Sequence, residues 1–304
     1  MKLKFTAAIL LCCLLLSGCQ IRISTGETTS ITKESTPTTT QKGQNPLATT
    51  ADPSQGKPQT APPSTQPPAT TPPQTQEFDP NPHAPDASAV KGLVPESAAA
   101  DPSWFDDAAF IGDSVSLKLR THCLTGVLGK AQFFAVGSYS TVNALRPVSD
   151  GGPHPTYRGT VMTSEECIQK SGVQKVFIML GMNDLSYGID ATLPRYQTLV
   201  ERILEKSPDV KIFIQSMTPM TATSNIVNEK RNNANIKLYN QRLQKMCEDN
   251  GWYFVDVASV MYDDKGANLR SEFCSDPVDM GVHFTKAGCE RWVDYLLTHT
   301  VHFK

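Results

Sequence analysis

A hydroxyl, an imidazole and a carboxylate suffice for acyl transfer when a base can take the hydroxyl proton. This chain of 304 residues carries candidates for each in ordered blocks. Ser114 ends Phe110-Ile111-Gly112-Asp113-Ser114, an apolar strand running into a small, acidic, hydroxyl-bearing turn. Alone the tripeptide is weak, because turns favour such residues on conformational grounds and a serine there can be a helix N-cap and nothing more. Three later segments add to it. Gly137 follows the apolar run Phe133-Phe134-Ala135-Val136, and Gly181-Met182-Asn183-Asp184 follows Val176-Phe177-Ile178-Met179-Leu180. Asp279-Met280-Gly281-Val282-His283 lies near the C-terminus. Of six histidines, His83 falls in a Pro-rich stretch and His299 and His302 in the last helix or tail. His122, His154 and His283 remain as candidate bases.

In order, Ser114, Gly137, Asn183 and His283 resemble the four signature positions of the SGNH (GDSL-type) hydrolase family, over roughly residues 105 to 300. The resemblance implies a serine esterase with Ser114 as nucleophile and His283 as general base, then general acid for the leaving alcohol. His283 is preferred because Val282-His283-Phe284-Thr285-Lys286-Ala287-Gly288 is similar to the family's last block. By the same resemblance the oxyanion donors are the N–H of Ser114, the N–H of Gly137 and the side-chain amide of Asn183. The acid departs from the pattern. The family usually has Asp three residues before the histidine, and position 280 is Met. Asp279 is the expected acid, the extra residue being absorbed through Gly281; Asp276 is second, and a main-chain carbonyl or water third. Asp113 and Asp184 are expected to bond backbone N–H groups at the base of their loops. Neither has metal-ligand spacing, so no metal and no cofactor are expected.

These residues need a scaffold, and the pattern supplies one. Apolar runs at 108–111, 132–136, 175–180, 210–215 and 252–257 read as strands. Between them lie helical stretches at 115–123, about 163–171 behind a Thr163/Glu166 capping box, 193–206, 228–248 and 286–300. Alternation of this kind implies a parallel sheet between helices, with ligands beyond the carboxyl ends of the strands. Ser114, Gly137 and Asn183 each fall just past a strand end. The expected fold is a flavodoxin-like three-layer α/β/α sandwich with about five strands. The polar, Gly/Pro-rich loop 147–162 is too poor in apolar residues for core, and His154, Tyr157 and Arg158 in it are candidate substrate contacts.

The ends read differently. Lys2 and Lys4 precede a short apolar run that finishes in Leu16-Ser17-Gly18-Cys19, which resembles a bacterial lipoprotein box. Residues 1–18 are then a leader, with Cys19 acylated and the chain extracytoplasmic and lipid-anchored to the bacterial cell membrane. Residues 19–100 hold most of the chain's 22 prolines with much Thr, Gln and Ser, and are expected to be a disordered linker before a domain at 101–304. The net charge of −2 and the lack of a basic run argue against nucleic-acid partners. Five cysteines remain after Cys12, Cys13 and Cys19, an odd number without CxxC spacing; free thiols are expected, with a Cys274–Cys289 pair as the alternative. The expected protein is monomeric and acts on a small ester or an acylated carbohydrate, with an acetyl ester preferred. A glycan-binding lipoprotein without catalysis and an O-acyltransferase are the rival readings.

Overall fold

The computed structural model describes residues 78–303. The expected leader, Cys19 and the Thr/Pro-rich stretch to residue 77 lie outside the described residues. Eight strands and six α-helices follow in chain order. They are β1 (Gly92–Leu93), β2 (Ala108–Gly112), α1 (Ser114–Cys123), β3 (Gln132–Ala135), α2 (Thr141–Ala144), β4 (Thr156–Tyr157) and β5 (Thr160–Val161). Then come α3 (Ser164–Ser171), β6 (Lys175–Met179), α4 (Ile189–Lys206), β7 (Lys211–Gln215), α5 (Asn233–Asn250), β8 (Tyr253–Val255) and α6 (Lys286–Thr298).

Six strands form one sheet in the order β1-β8-β7-β6-β2-β3, with every pairing parallel. The central strands β2 and β6 are buried at every residue, as expected for a parallel sheet covered on both faces. The chain leaves β2 for β3 on one side, then crosses to β6 on the other. That reversal is the topological switch point of a flavodoxin-like sheet, where such folds open a crevice.

Register is pinned by an aromatic ladder. Phe133, Phe110, Phe177, Phe213 and Tyr253 are paired across adjacent strands, with stacked rings 4.5–4.9 Å apart between centroids. Because a slip by one residue would turn these rings to the other face, the ladder fixes every strand end relative to its neighbours. Gly112 therefore stands level with Ala135 on β3 and Met179 on β6. The loops after these three strands start from one line.

The helices carry the expected signals with shifted ends. The Thr163/Glu166 capping box opens α3. α4 begins four residues before the expected start and holds Pro194 at its sixth position, where the ring leaves the Asp190 carbonyl without its helical N–H donor. α5 begins at Asn233, since Asn232 caps it by accepting from the Asn235 N–H at 2.9 Å.

The linker boundary needs correction. Residues 80–100 are seated on the domain, and β1 is the sixth strand. Val94 N–H donates to Phe254 O (2.9 Å), Ser97 N–H to Thr298 O (2.8 Å) and Ala100 N–H to Leu297 O (2.8 Å). Buried Asn81 donates to Val301 O at 2.8 Å and accepts from the Thr300 hydroxyl at 3.0 Å. Composition averages over this segment, whereas its backbone groups find partners on the C-terminal tail. All five cysteines among the described residues are free and buried, so no Cys274–Cys289 disulfide forms. No described helix is long and apolar enough to cross a membrane.

Candidate active site

The turn after β2 is tight. A Cβ on Gly112 would lie 2.0 Å from Ser116 Oγ and 3.1 Å from the carbonyl oxygen of Met179, so the first turn of α1 can fold back over the strand only above a glycine. Asp113 caps α1, accepting from the Val115 N–H at 2.9 Å, which leaves Ser114 as the first helical residue. The Ser114 hydroxyl donates to His283 Nε2 at 2.9 Å. His283 Nδ1–H donates to Asp276 Oδ2 at 2.6 Å. With Nδ1 bearing its proton toward a carboxylate, Nε2 is the acceptor for the serine proton.

Asp276 thus occupies the position expected for Asp279. The reason lies in the turn between them. Gly281 N–H reaches back to the Asp276 carbonyl at 2.9 Å, with Gly281 at φ +67°, so the intervening residues bulge outward. Asp279 is exposed at the tip, and its carbonyl accepts from the Asn225 N–H at 3.2 Å. Asp276 Oδ1 meanwhile takes the N–H groups of His283 (3.1 Å) and Val282 (3.3 Å) and the thiol of Cys274 (3.2 Å). The turn is clamped from outside: Thr221 and Thr223 hydroxyls donate to Pro277 O at 2.5 and 2.7 Å, and the Ser224 hydroxyl to Met280 O at 2.6 Å.

These contacts set the electrostatics. Burial alone would raise the Asp276 carboxyl, but hydrogen bonds from the His283 side chain and backbone and from Cys274 outweigh it and hold the pKa below the usual value. Burial pushes the Cys274 thiol up to about 11, which keeps it a protonated donor. Asp113, with 3% exposure, is raised by burial to about 6 despite its bond from Val115.

Asn183 sits between β6 and β2. Its Nδ2 donates to Asp113 Oδ2 (3.1 Å) and to Tyr139 O (3.0 Å), so both amide protons point at fixed protein acceptors. A substrate oxygen would share one of them. Gly137 follows the strand end level with Gly112, and its N–H and that of Ser114 donate to no described residue. A Cβ on Gly137 would meet nothing within 4 Å, so no neighbour demands a glycine there.

The 147–162 loop packs on β3 and the segment that follows it. His154 is buried edge-on to the Tyr139 ring (6.5 Å between centroids), with both ring nitrogens lacking hydrogen-bond partners. Tyr157 packs edge-on to Phe134 of β3 at 5.8 Å, and Arg158 lies 5.2 Å over the Tyr157 ring on the β4–β5 hairpin. These contacts run to Tyr139 and Phe134, not to Ser114, His283 or Asp276. Nothing in the sequence marks Cys274, expected only as a thiol or disulfide partner, or the hydroxyls at 221–224 as parts of the site. One available signal for the acid was Asp276-Pro277, a pair that favours turn initiation.

The chain was compared with known proteins. No curated protein matches it. Among solved structures it is similar to a GDSL-like lipase from Bacteroides thetaiotaomicron, at 19% identity and a TM-score of 0.47, covering 61% of this chain and 84% of that one. It is also similar to the C-terminal catalytic domain of a Streptococcus pneumoniae peptidoglycan O-acetyltransferase (16%, TM-score 0.40, 63% and 90% covered). A third is the periplasmic domain of a Salmonella lipopolysaccharide acetyltransferase (15%, TM-score 0.44, 62% and 82%). The profile of the GDSL-like Lipase/Acylhydrolase family matches residues 121–291, more than half of the chain, a span that holds Gly137, Asn183, Asp276 and His283 and begins just after the Ser114 turn. On that match, the chain belongs to the GDSL-like lipase/acylhydrolase family.

Proposed function

We propose that this domain is a serine esterase that cleaves short acyl esters through a Ser114–His283–Asp276 triad. The observation that carries the reading is the unbroken run of hydrogen bonds from the Ser114 hydroxyl through both ring nitrogens to Asp276, at 2.9 and 2.6 Å. His283 Nε2 takes the serine proton as Oγ attacks the ester carbonyl, and the ionised Asp276 stabilises the imidazolium that forms. The C–O bond to the leaving alcohol then breaks, with the proton passing from Nε2 to the alkoxide. Water repeats the sequence on the acyl-enzyme and releases the acid. The developing oxyanion is met by the unengaged N–H groups of Ser114 and Gly137, with Asn183 beside them.

The finer reading rests on the lipoprotein-like leader, which favours an extracytoplasmic, lipid-anchored enzyme acting on an acetyl ester of a carbohydrate. Catalysis is favoured over a binding-only role because Asp276 completes the run of hydrogen bonds to the imidazole.

The test is direct. Purified protein is incubated with p-nitrophenyl acetate and with a fluorophosphonate, and the labelled peptide is identified by mass spectrometry. The expected outcome is acetate release and a single adduct on Ser114, both lost in Ser114→Ala. An adduct on another serine, or no turnover of any short-chain ester, would refute the reading.

A further inference from the structure

One buried group next to the site has no part in the triad. Asp184 directly follows Asn183 and is fully buried, at 0% exposure. Its carboxylate reaches across to the loop after β3. Oδ1 accepts from the Thr141 hydroxyl at 2.6 Å and the Thr141 N–H at 3.1 Å, and Oδ2 accepts from the same N–H at 3.0 Å. Arg195 of α4 holds the same threonine from its other side, donating Nε–H to Thr141 Oγ1 at 3.3 Å with its guanidinium 5.2 Å over the Tyr187 ring. A second stitch runs parallel, from Asn183 Nδ2 to Tyr139 O at 3.0 Å.

The segment 137–141 is therefore tied at 139 and 141 to the adjacent pair 183 and 184. It also carries Ser138 at φ +59°. A non-glycine residue in that conformation is strained and persists where its surroundings hold it. Burying a carboxylate is itself costly unless good geometry offsets it. A helix cap alone does not require a carboxylate in this position. Here both oxygens of Asp184 face Thr141, so an amide NH₂ in place of either one would meet the Thr141 N–H or its hydroxyl.

We propose that Asp184 is a positioning residue for the oxyanion-binding groups: by locking Thr141 to the Asn183 loop, it sets the Gly137 N–H and the Asn183 amide at a fixed separation around the substrate carbonyl oxygen. This rests on the esterase reading above. Asn183 is anchored on one side by Asp113 and followed on the other by Asp184, so its two flanking carboxylates divide the task. Asp113 aims the amide, and Asp184 brings the partner loop to it. Transition-state stabilisation by fixed donors is sensitive to placement, and a misplacement of about 1 Å can lower the rate about 10²-fold. The ground-state ester leans on these donors far less, so KM should hardly change.

Asp184→Asn, Asp184→Glu and Thr141→Val are compared with the parent protein on p-nitrophenyl acetate, with melting temperatures measured alongside. The expected result for Asp184→Asn is a fall in kcat of about 10²-fold with KM within about twofold. Asp184→Glu should recover part of that loss. In the Asn183→Ala background the effect of Asp184→Asn should shrink, because both act on one group of donors. A lower melting temperature with kcat unchanged would overturn the proposal and leave Asp184 a stabilising residue only. If Asp184→Asn does not fold, Thr141→Val carries the test, because it removes the hydroxyl that Asp184 and Arg195 share while keeping the N–H. There an unchanged kcat overturns the proposal, and a selective loss of about tenfold or more supports it. An inactive parent protein is a different result, since it sinks the esterase reading first.

Discussion

Asp276 meets the imidazole from seven positions upstream because its carboxylate also closes the turn that carries His283. Replacing it therefore touches two functions at once, and the kinetics should be dominated by the charge. Asp276→Asn is expected to lower kcat by about 10⁴-fold, the size of loss seen when an amide replaces the acid of a serine protease triad. Asp279→Asn, at the exposed tip, should cost under about tenfold; steady-state kinetics on p-nitrophenyl acetate checks both. Asp113 gives a second prediction at this scale. Burial raises its pKa from the ordinary 3.8 to about 6, so the folded protein holds this proton more tightly than the unfolded chain. Above pH 6 the buried charge opposes folding by about 3 kcal/mol, and this penalty fades as pH falls from 6 toward 3.8. The stability of Asp113→Asn relative to the parent should thus rise by about 2 kcal/mol between pH 4.5 and pH 7.5, as read by urea unfolding. A difference independent of pH would count against the ionised, buried Asp113.

At the scale of elements, two glycines at aligned strand ends answer to different demands. Gly112 is required by the protein itself, because a Cβ would strike Ser116 and crowd the Met179 carbonyl. Gly137 faces open space. Gly112→Ala should therefore destabilise by about 1–3 kcal/mol through overpacking. Gly137→Ala should leave the melting temperature nearly unchanged and lower kcat/KM instead, since the methyl enters the space a substrate would use. Thermal melts with kinetics on the same two proteins separate these outcomes, and a Gly137→Ala protein with parental kcat/KM would argue against a substrate beside that loop. The aromatic ladder explains why the two turns stand level at all: five stacked rings hold five strands in register, and the loops follow.

For the whole molecule, the folded unit reaches back at least to residue 80, past the expected boundary at 101. β1, the buried Asn81 and the backbone bonds from 94 to 100 join this segment to β8 and the C-terminal tail. Limited proteolysis of the full chain should yield a stable fragment beginning close to residue 78. A chain starting at 101 should melt several degrees lower, since it exposes an edge of β8 and leaves Val301 and Thr300 without Asn81. Equal melting temperatures for the two would return the segment to the linker.

Ser114, Gly137 and Asn183 were legible because each follows an apolar strand run, and strand ends of a parallel sheet all point to one crevice, whereas His283 was legible only through its resemblance to the family's last block. The alternation of strands and helices likewise determined the layered fold, as local period and capping residues are written in consecutive positions. The acid was not legible, because the distance from Asp276 or Asp279 to the imidazole depends on how a turn bulges and on hydroxyls at 221–224, more than fifty residues away. β1 escaped for a related reason: a two-residue strand in a Pro- and Ala-rich segment has no period, and its partners are at the other end of the chain. Sequence by itself determines what neighbouring residues can do together. Which carboxylate serves the histidine, and where the domain begins, were decided by contacts between segments that only folding brings into reach.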